Sequence, residues 1–427
     1  MKTKIHVQDL RKGMYVAELD RPWLSAPFMF QGFEIRSDEE LAQLRKLCHY
    51  VYIQNKEEYE VAIRRRAPVA GQTPKARTIW QETVGAASIK GPTNKMQLAE
   101  APPARYPDLH SVEEELPRAV DVEARARETL YSILDDARFG HSVDSPSAKK
   151  VVSQMTESII HNPDALVWLT HLKQKSEYTA LHSLRVCVLA LAFGRHLGYE
   201  ADKLAILGTG ALLHDIGKLK VPNEILDKPS ALTREEFEIV KSHVPSGLKI
   251  LDGAHGITPA VLEIVGRHHE RYNGNGYVLG MNGDTIGEFG LIGAIVDTYD
   301  AITSERAYHP GLSSADALRI LYEGRQIAYH PWFVEQFIQC LGIYPIGSVV
   351  ELSTGSVGVV ITTNRTRRLR PCVAVVLSPD KQPYRSPTIV DLMQVTHDAD
   401  GQPIEIKNIL PSGSYGIRPM DYIPPHS

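Results

Sequence analysis

The stretch Ala211-Leu212-Leu213-His214-Asp215-Ile216-Gly217-Lys218-Leu219 is an apolar helical segment that ends in adjacent histidine and aspartate residues beside a glycine. Burying such a pair without a partner is costly, so a partner is expected. A metal ion is the obvious partner, since imidazole and carboxylate are both common metal ligands. A core histidine whose hydrogen bonds the protein satisfies would give the same dipeptide, so the pair alone leaves both interpretations open.

Other histidines lie on comparable helical segments. His182 shares a helical face with apolar residues, so its side chain is predicted to point towards the core. His243 follows one helical run, and His268 and His269 close the next. Adjacent helical residues project about 100° apart, so neighbouring imidazoles can reach two ions or two sides of one cluster. Asp297 adds a carboxylate on an otherwise apolar helix.

These segments together carry five histidines and two aspartates, none of them paired with a cysteine. Imidazole and carboxylate ligands suit hard to borderline divalent ions such as iron, manganese or zinc. A carboxylate such as Asp215 can bridge two ions. Two ions about 3.5 to 4 Å apart activate a water molecule between them and neutralise the charge that builds on a phosphoryl oxygen. The residue types therefore predict hydrolysis of a phosphodiester.

The sequence divides into four regions of different character. Residues 1–67 mix short β-like pieces with one helix and predict a small α/β accessory module, whereas residues 68–120 are rich in Pro, Gly, Ala and Thr and predict a linker or poorly ordered segment. Residues 121–345 have apolar residues at three- and four-residue spacing, which predicts an all-α domain, and this domain carries the candidate catalytic residues. Residues 346–427 contain short valine-rich runs between turns and predict a small β-rich tail. The predicted fold class is multi-domain.

Charge and composition exclude several kinds of partner. The formal net charge of −4 and a pI near 6.5 give no general attraction to nucleic acid or anionic membranes. The arginines between positions 365 and 370 lack interleaved aromatic residues, so a solvated loop is the favoured interpretation. We therefore expect neither a nucleic acid polymer nor a membrane as partner. Scattered cysteines, an N-terminus without a signal peptide and the lack of a long apolar run predict a reduced, cytoplasmic protein.

Several motifs in a fixed order resemble the HD-GYP subfamily of the HD phosphohydrolases. The motifs are His182, then His214-Asp215-Ile-Gly-Lys218, His243-Val-Pro-Ser-Gly, His268-His269-Glu270-Arg-Tyr-Asn273-Gly274-Asn-Gly276-Tyr277, and Asp297-Thr-Tyr-Asp300-Ala-Ile-Thr-Ser-Glu-Arg306. The resemblance covers about residues 150–345. The N-terminal run Leu10-Arg-Lys-Gly13-Met-Tyr-Val also resembles an accessory domain often found ahead of HD-GYP domains.

The resemblance implies a phosphodiesterase that hydrolyses the bacterial second messenger cyclic di-GMP to the linear dinucleotide pGpG, or further to GMP. It implies two divalent ions, iron or manganese first and zinc or nickel as alternatives. The implied ligands are His182, His214, Asp215, His243, His268, His269 and Asp297, with Asp215 bridging and catalytic.

The implied substrate contacts involve cations and a glycine loop. Lys218, also at the catalytic centre, and Arg306 would hold the phosphates, since a lysine point charge and an arginine fork both suit phosphate. Gly276 and Tyr277 would contact the nucleotide. His309 stands where some relatives have a lysine, and it could still donate to phosphate.

Other positions depart from the family pattern. Asn273 and Val278 replace an aspartate and a proline of the signature loop, which removes no ligand. Tyr178 stands where some members have a glutamate ligand for a third metal, so a two-metal site is expected. Glu270 is either a partner that orients an imidazole or a solvated carboxylate at a helix end, and Asp300 either supports a ligand or forms another polar contact.

Three function classes are compatible with these motifs. The first is the enzyme, and the second is a catalytically weak HD-GYP signalling or adaptor module that binds cyclic di-GMP or protein partners. Signalling partners are expected at the N-terminal module. The third is another HD-type nucleotide hydrolase, against which the Gly-x-Gly-Tyr loop argues. The intact set of ligands favours the enzyme.

Overall fold

The computed structural model describes residues 3–19, 33–35, 38–53, 106–170, 178–228, 230, 232–304, 312–364, 367, 369–398, 400–411 and 413–422. The chain divides into two units, residues 1–73 and 74–427. No helix in these described ranges is both long and apolar enough to cross a membrane.

The first unit is a small sheet with one helix. Its elements are β1 (Thr3–His6), β2 (Tyr15–Leu19), β3 (Phe33–Glu34), α1 (Asp38–Leu47) and β4 (Tyr50–Ile53). The strands pair antiparallel in the order β1-β4-β2-β3. Apolar side chains such as Leu10, Val16, Leu44 and Val51 form its own buried core. The predicted α/β module is therefore confirmed.

The second unit begins with a helical body, as the apolar spacing predicts. Its helices are α2 (Val112–Arg138), α3 (Ser145–His161), α4 (Pro163–Leu169), α5 (Tyr178–His196), α6 (Ala201–Leu213), α7 (Asn223–Leu226), α8 (Arg234–Lys241), α9 (His243–Leu251), α10 (Pro259–Arg267), α11 (Glu288–Thr303), α12 (Ser314–Glu323) and α13 (Pro331–Leu341). A 3-10 turn at Ile216–Lys220 follows α6.

Helix α2 corrects the predicted end of the linker. It begins at Val112, inside the segment 68–120, because Ser111 and Glu114 form a capping box that satisfies the first backbone N–H groups. The linker prediction is wrong for the residues of this segment that lie in α2, and the part before residue 106 lies outside the described residues.

Four helices rich in apolar residues pack together at the centre of the body. Helices α5 and α6 pack on each other, and α11 and α10 pack against them. Val186, Leu207, Ile264 and Ile295 are almost fully buried between these helices. A helix that is apolar on all sides is stable only when it is buried on all sides, which explains this central position. The ends of these helices therefore meet inside the protein.

The chain closes with an antiparallel sheet. Strands β5 (Val349–Leu352), β6 (Val357–Thr362), β7 (Cys372–Leu377), β8 (Pro383–Asp391) and β9 (Ile406–Leu410) pair in the order β8-β7-β6-β5-β9. The β-rich tail and the multi-domain fold class are confirmed. In the arginine cluster, Arg370 donates to the backbone oxygen of Ile404, whereas Arg365 and Arg368 lie outside the described residues.

Candidate metal centre

The seven predicted metal ligands come together inside the helical body. His182 comes from α5, His214 caps the end of α6 and Asp215 follows it directly. His243 begins α9, His268 and His269 follow α10, and Asp297 lies on α11. Most of these ligands lie at helix ends, where the last backbone carbonyls have no partner within the helix and can accept from an imidazole N–H.

The candidate ligand atoms form two groups that share one residue. Asp215, His243, His268 and His269 form the first group, and His182, His214 and Asp215 form the second. Within each group the candidate ligand atoms all lie within 4.8 Å of one another. Asp215 is thus placed where one carboxylate can face two ions.

Asp297 contacts members of both groups. Its Oδ1 lies 3.0 Å from His182 Nε2 and 3.8 Å from His214 Nε2. Its Oδ2 lies 3.9 Å from His269 Nδ1. The two carboxylates therefore lie among the five imidazoles.

Three imidazoles are oriented by backbone carbonyls three or four residues before them, in the last turn of the preceding helix. Nδ1 of His214 donates to Ala211 O at 2.7 Å, and Nδ1 of His243 donates to Val240 O at 2.7 Å. Nδ1 of His268 donates to Ile264 O at 3.0 Å. A hydrogen bond at one ring nitrogen fixes the tautomer, so Nε2 keeps its lone pair for a metal.

Two buried atoms at the centre fit a divalent ion. His214 Nε2 and Asp215 Oδ1 make no hydrogen bond to any residue that the structure describes. Buried polar atoms without partners are rare, and each needs a physical explanation. A lone pair on imidazole and another on a carboxylate, both directed into one cluster, are what a divalent ion requires.

The charge states of three histidines and of Asp215 match this donor set. Burial lowers the pKa of His268 to about 3, and it also lowers the pKa values of His243 and His269. Burial opposes ionisation of Asp215, but Lys218 and His214 outweigh it and hold the pKa of that carboxyl well below its usual range. These imidazoles are therefore neutral and Asp215 is ionised at neutral pH.

His182 is held differently, by a buried ion pair. Its Nδ1 bonds to Asp300 Oδ2 at 2.7 Å, and Asp300 also accepts from Arg185 Nε at 2.7 Å and Arg185 Nη2 at 3.0 Å. Burial opposes a charge on His182, yet its bonds to Asp297 and Asp300 raise its pKa to about 9. Asp300 is therefore a support for His182, and Arg185 is a second support that the sequence motifs did not reveal.

Lys218 and Gly217 complete the turn after Asp215. Lys218 Nζ donates to Asp215 Oδ2, which places the predicted phosphate-binding cation at the cluster. A Cβ atom on Gly217 would overlap the backbone oxygen of His243 and the backbone nitrogen of Gly247. Only glycine lets α9 approach this turn closely enough to bring His243 to the cluster.

Glu270 has a role that neither sequence interpretation anticipated. Its side chain is fully buried, with Oε1 accepting from Leu279 N at 2.7 Å and Oε2 accepting from Met281 N at 2.9 Å. Glu270 therefore holds the glycine loop that follows the two histidines. The same loop brings the ring of Tyr277 into a stack on His269, with 4.6 Å between ring centroids.

Gly276 is needed for a contact within the protein. A Cβ atom there would overlap the backbone nitrogen of Arg271 and the backbone oxygen of His269. Of the remaining predicted substrate contacts, Arg306 and His309 lie outside the described residues, as does the side chain of Tyr178 at the start of α5.

Three family models match successive parts of the chain. Residues 2–148 match a domain of unknown function, DUF3391, and residues 162–331 match the HD domain. Residues 349–397 match the KOW domain associated with HD domain. The HD-domain match spans all seven candidate ligands, so fold and site together define an HD-domain protein with a divalent-metal centre.

Named relatives refine this class. The chain is 32% identical to cyclic di-GMP phosphodiesterase PA4108 of Pseudomonas aeruginosa over 99% of this chain and 95% of that protein. It is 31% identical to 3'3'-cGAMP-specific phosphodiesterase 3 of Vibrio cholerae over 55% of this chain and 54% of that protein. It is 36% identical to a cyclic di-GMP phosphodiesterase of Thermotoga maritima over 39% of this chain and 47% of that protein. The chain belongs to the HD-GYP family, and it is a phosphodiesterase.

Proposed function

We propose that this phosphodiesterase hydrolyses cyclic di-GMP to the linear dinucleotide pGpG, with slow onward cleavage to GMP. The observation that carries the proposal is the shared position of Asp215 between two groups of candidate ligands. The full-length similarity to a protein named as a cyclic di-GMP phosphodiesterase supports the substrate.

The seven side chains would bind two ions, with different ligands for each ion and one carboxylate shared between them. His182 and His214 would bind one ion, and His243, His268 and His269 would bind the other. Asp215 would bridge the two, and Asp297 would complete the site. When bound, the two ions supply an activated water molecule and neutralise charge on the phosphoryl oxygens. Tyr178, in place of a carboxylate, gives no ligand for a third ion.

The proposed metal identity rests on the donor set. Five imidazoles and two carboxylates favour iron or manganese, with zinc and nickel as alternatives. Soft ions are disfavoured because no cysteine is among the seven proposed ligands.

Substrate binding would use groups around the ions. Lys218 would contact a phosphate oxygen, its ammonium being held beside the cluster by Asp215. Arg306 would bind phosphate as a fork, and His309 would donate to phosphate in place of a lysine. Tyr277 and the backbone at Gly276 would contact the nucleotide.

The same experiment separates this proposal from two alternatives. A catalytically weak signalling module would bind cyclic di-GMP, or protein partners through residues 1–67, without turnover. A 3'3'-cGAMP phosphodiesterase would prefer that dinucleotide, and one relative carries that name.

The test measures metal and products on the same preparation of the full chain. Elemental analysis gives the ions per chain, and chromatography follows products from cyclic di-GMP and from 3'3'-cGAMP in parallel. We expect pGpG to accumulate in wild type and no product in Asp215→Asn. Binding without turnover in the metal-loaded wild type would favour the signalling module, and faster cleavage of 3'3'-cGAMP would refute the proposed substrate.

A further inference from the structure

A second cluster of imidazole and carboxylate groups lies outside the HD site, where α2 and α3 meet. His110 precedes the cap of α2, Glu115 lies in the first turns of α2, and His161 is the last residue of α3. Glu115 Oε2 lies 2.9 Å from His110 Nδ1 and 3.1 Å from His161 Nδ1. The two imidazole rings are 4.6 Å apart between centroids, and the three ligand atoms lie within 4.8 Å of one another.

The carboxylate of Glu115 is buried but only half satisfied. The residue is 1% exposed, and both imidazoles approach the same oxygen, Oε2. The other oxygen, Oε1, makes no hydrogen bond to any residue in the described ranges. Arg118 Nε lies 3.8 Å from it, which is too far for a hydrogen bond. A buried carboxylate oxygen that accepts no hydrogen bond costs about 1–3 kcal/mol or more, and the ion pair with the half-exposed Arg118 offsets only part of that cost, so its position requires an explanation.

We propose that His110, Glu115 and His161 form a second metal site, separate from the HD cluster, that takes a divalent transition ion such as Zn²⁺. If both rings donate from Nδ1, Oε2 receives two donors while Oε1 receives none. With the proton of each ring on Nε2 instead, both Nδ1 lone pairs face Oε2, and a small separation of these three atoms would let them bind one ion. Two histidines and one glutamate are a known ligand set for Zn²⁺, with the remaining position open to water.

The surroundings leave the site both accessible and fixed. The His110 side chain is 44% exposed and that of His161 is 23% exposed, so an ion and its water can reach the cluster from solvent. The backbone around the two histidines is tied together, with Leu109 N donating to His161 O at 2.8 Å and Asn162 Nδ2 donating to His110 O at 3.0 Å. Little rearrangement is needed to bind an ion, which favours affinity.

The position suggests what the ion does. Residues 106–111 lead into α2, and Arg195 of α5 already holds this segment through Asp108 at 2.8 Å. An ion on His110 and His161 would fix the start of α2 to the end of α3. The site would therefore strengthen the point where the chain enters the helical body.

The experiment counts zinc ions on the full chain. Chelator-treated protein is titrated with Zn²⁺ against a chromophoric competitor, for wild type, His110→Gln, His161→Gln and His141→Gln. His141 is the matched control because it is an exposed histidine 3.5 Å from a single carboxylate, Asp136. We expect wild type and His141→Gln to bind one Zn²⁺ more per chain than the two other variants. Loss of a ligand weakens a site at least as much as loss of a supporting partner, so the affinity should fall at least roughly tenfold.

Two further measurements keep the result decisive. Circular dichroism establishes that each variant is folded, and His110→Gln decides alone if the less exposed His161→Gln does not fold. Crystals soaked in Zn²⁺ should show anomalous scattering between the three side chains in wild type. Equal zinc stoichiometry and affinity in wild type and His110→Gln would overturn the proposal and leave a hydrogen-bonded cluster only.

Discussion

Asp300→Asn tests whether the buried ion pair behind His182 controls the metal site. The carboxylate accepts two bonds from Arg185 and one from His182 Nδ1. An asparagine keeps one acceptor oxygen and loses the charge, so His182 is oriented less well and Arg185 loses its ion pair with Asp300. The Arg185 side chain is 10% exposed and that of Asp300 is 4% exposed, so solvent screens this ion pair little.

Asp300→Asn should lower both the metal affinity and the free energy of unfolding, and the size of each effect is estimated separately. Removing a partner that orients a metal-binding imidazole typically lowers metal affinity or activity by about 10- to 100-fold. Breaking a buried ion pair from one side costs about 3–5 kcal/mol, and the retained acceptor places the expected loss near 3 kcal/mol of unfolding free energy. Asp121→Asn is the control, because Asp121 forms an exposed pair with Arg125 whose loss should change stability by less than about 1 kcal/mol.

Metal titration of chelator-treated protein and urea unfolding of the metal-free protein measure the two effects independently. Stability lost without any change in metal affinity would mean that Asp300 is only structural. A change in metal affinity below about threefold, well under the expected lower bound, would refute the orienting role.

Four further outcomes follow from the site. His214→Ala should reduce turnover of cyclic di-GMP to below about a tenth of wild type in folded protein, and retained turnover above that level would count against the ligand assignment. Arg306→Ala should lower activity roughly ten- to hundredfold with unchanged metal content, since a charge-assisted phosphate contact contributes about 1.5–3 kcal/mol. Loss of metal in that variant would show that the assigned substrate contact is wrong. Active His110→Gln protein, in which the separate zinc site proposed at Glu115 is disabled, should hold two ions per chain by elemental analysis, and three in that variant would reveal a ligand that has not been identified. In Glu270→Gln an amide NH₂ replaces one carboxylate oxygen that accepts from a loop N–H, so one hydrogen bond is lost and the free energy of unfolding should fall by about 1–3 kcal/mol. Because this loop carries Gly276 and Tyr277, KM should rise. An unchanged KM would separate the loop from substrate binding.

Much of the fold and of the site could be predicted from apolar spacing. A histidine on an apolar helical face, or at its end, has to be buried, and His182, His214 and His268 are indeed buried. The bonds of His214 and His268 to carbonyls of the preceding helical turn could not be predicted, because they depend on the rotamer of each histidine. The support of His182 by Asp300 was one of two open interpretations, since their separation of 118 residues hides the contact.

Glu270 and Glu115 show where the sequence misleads. Glu270 looks like a helix-end carboxylate, yet the chain folds back nine residues later and buries it against backbone N–H groups. Glu115 lies in a segment predicted as linker, and its partner His161 is 46 residues away. The capping box that begins at Ser111 was the local signal that a helix begins there.

The tight packing of Gly217 and Gly276 against the protein's own backbone has a consequence for how relatives are judged. A descendant that had lost hydrolysis would still need both glycines to fold, because their neighbours would collide with any side chain. Such a descendant would tolerate substitutions of the metal-facing histidines before it tolerated substitutions of the glycines. The glycines therefore report shared ancestry of the backbone, and the histidines and aspartates report whether the chemistry has been kept.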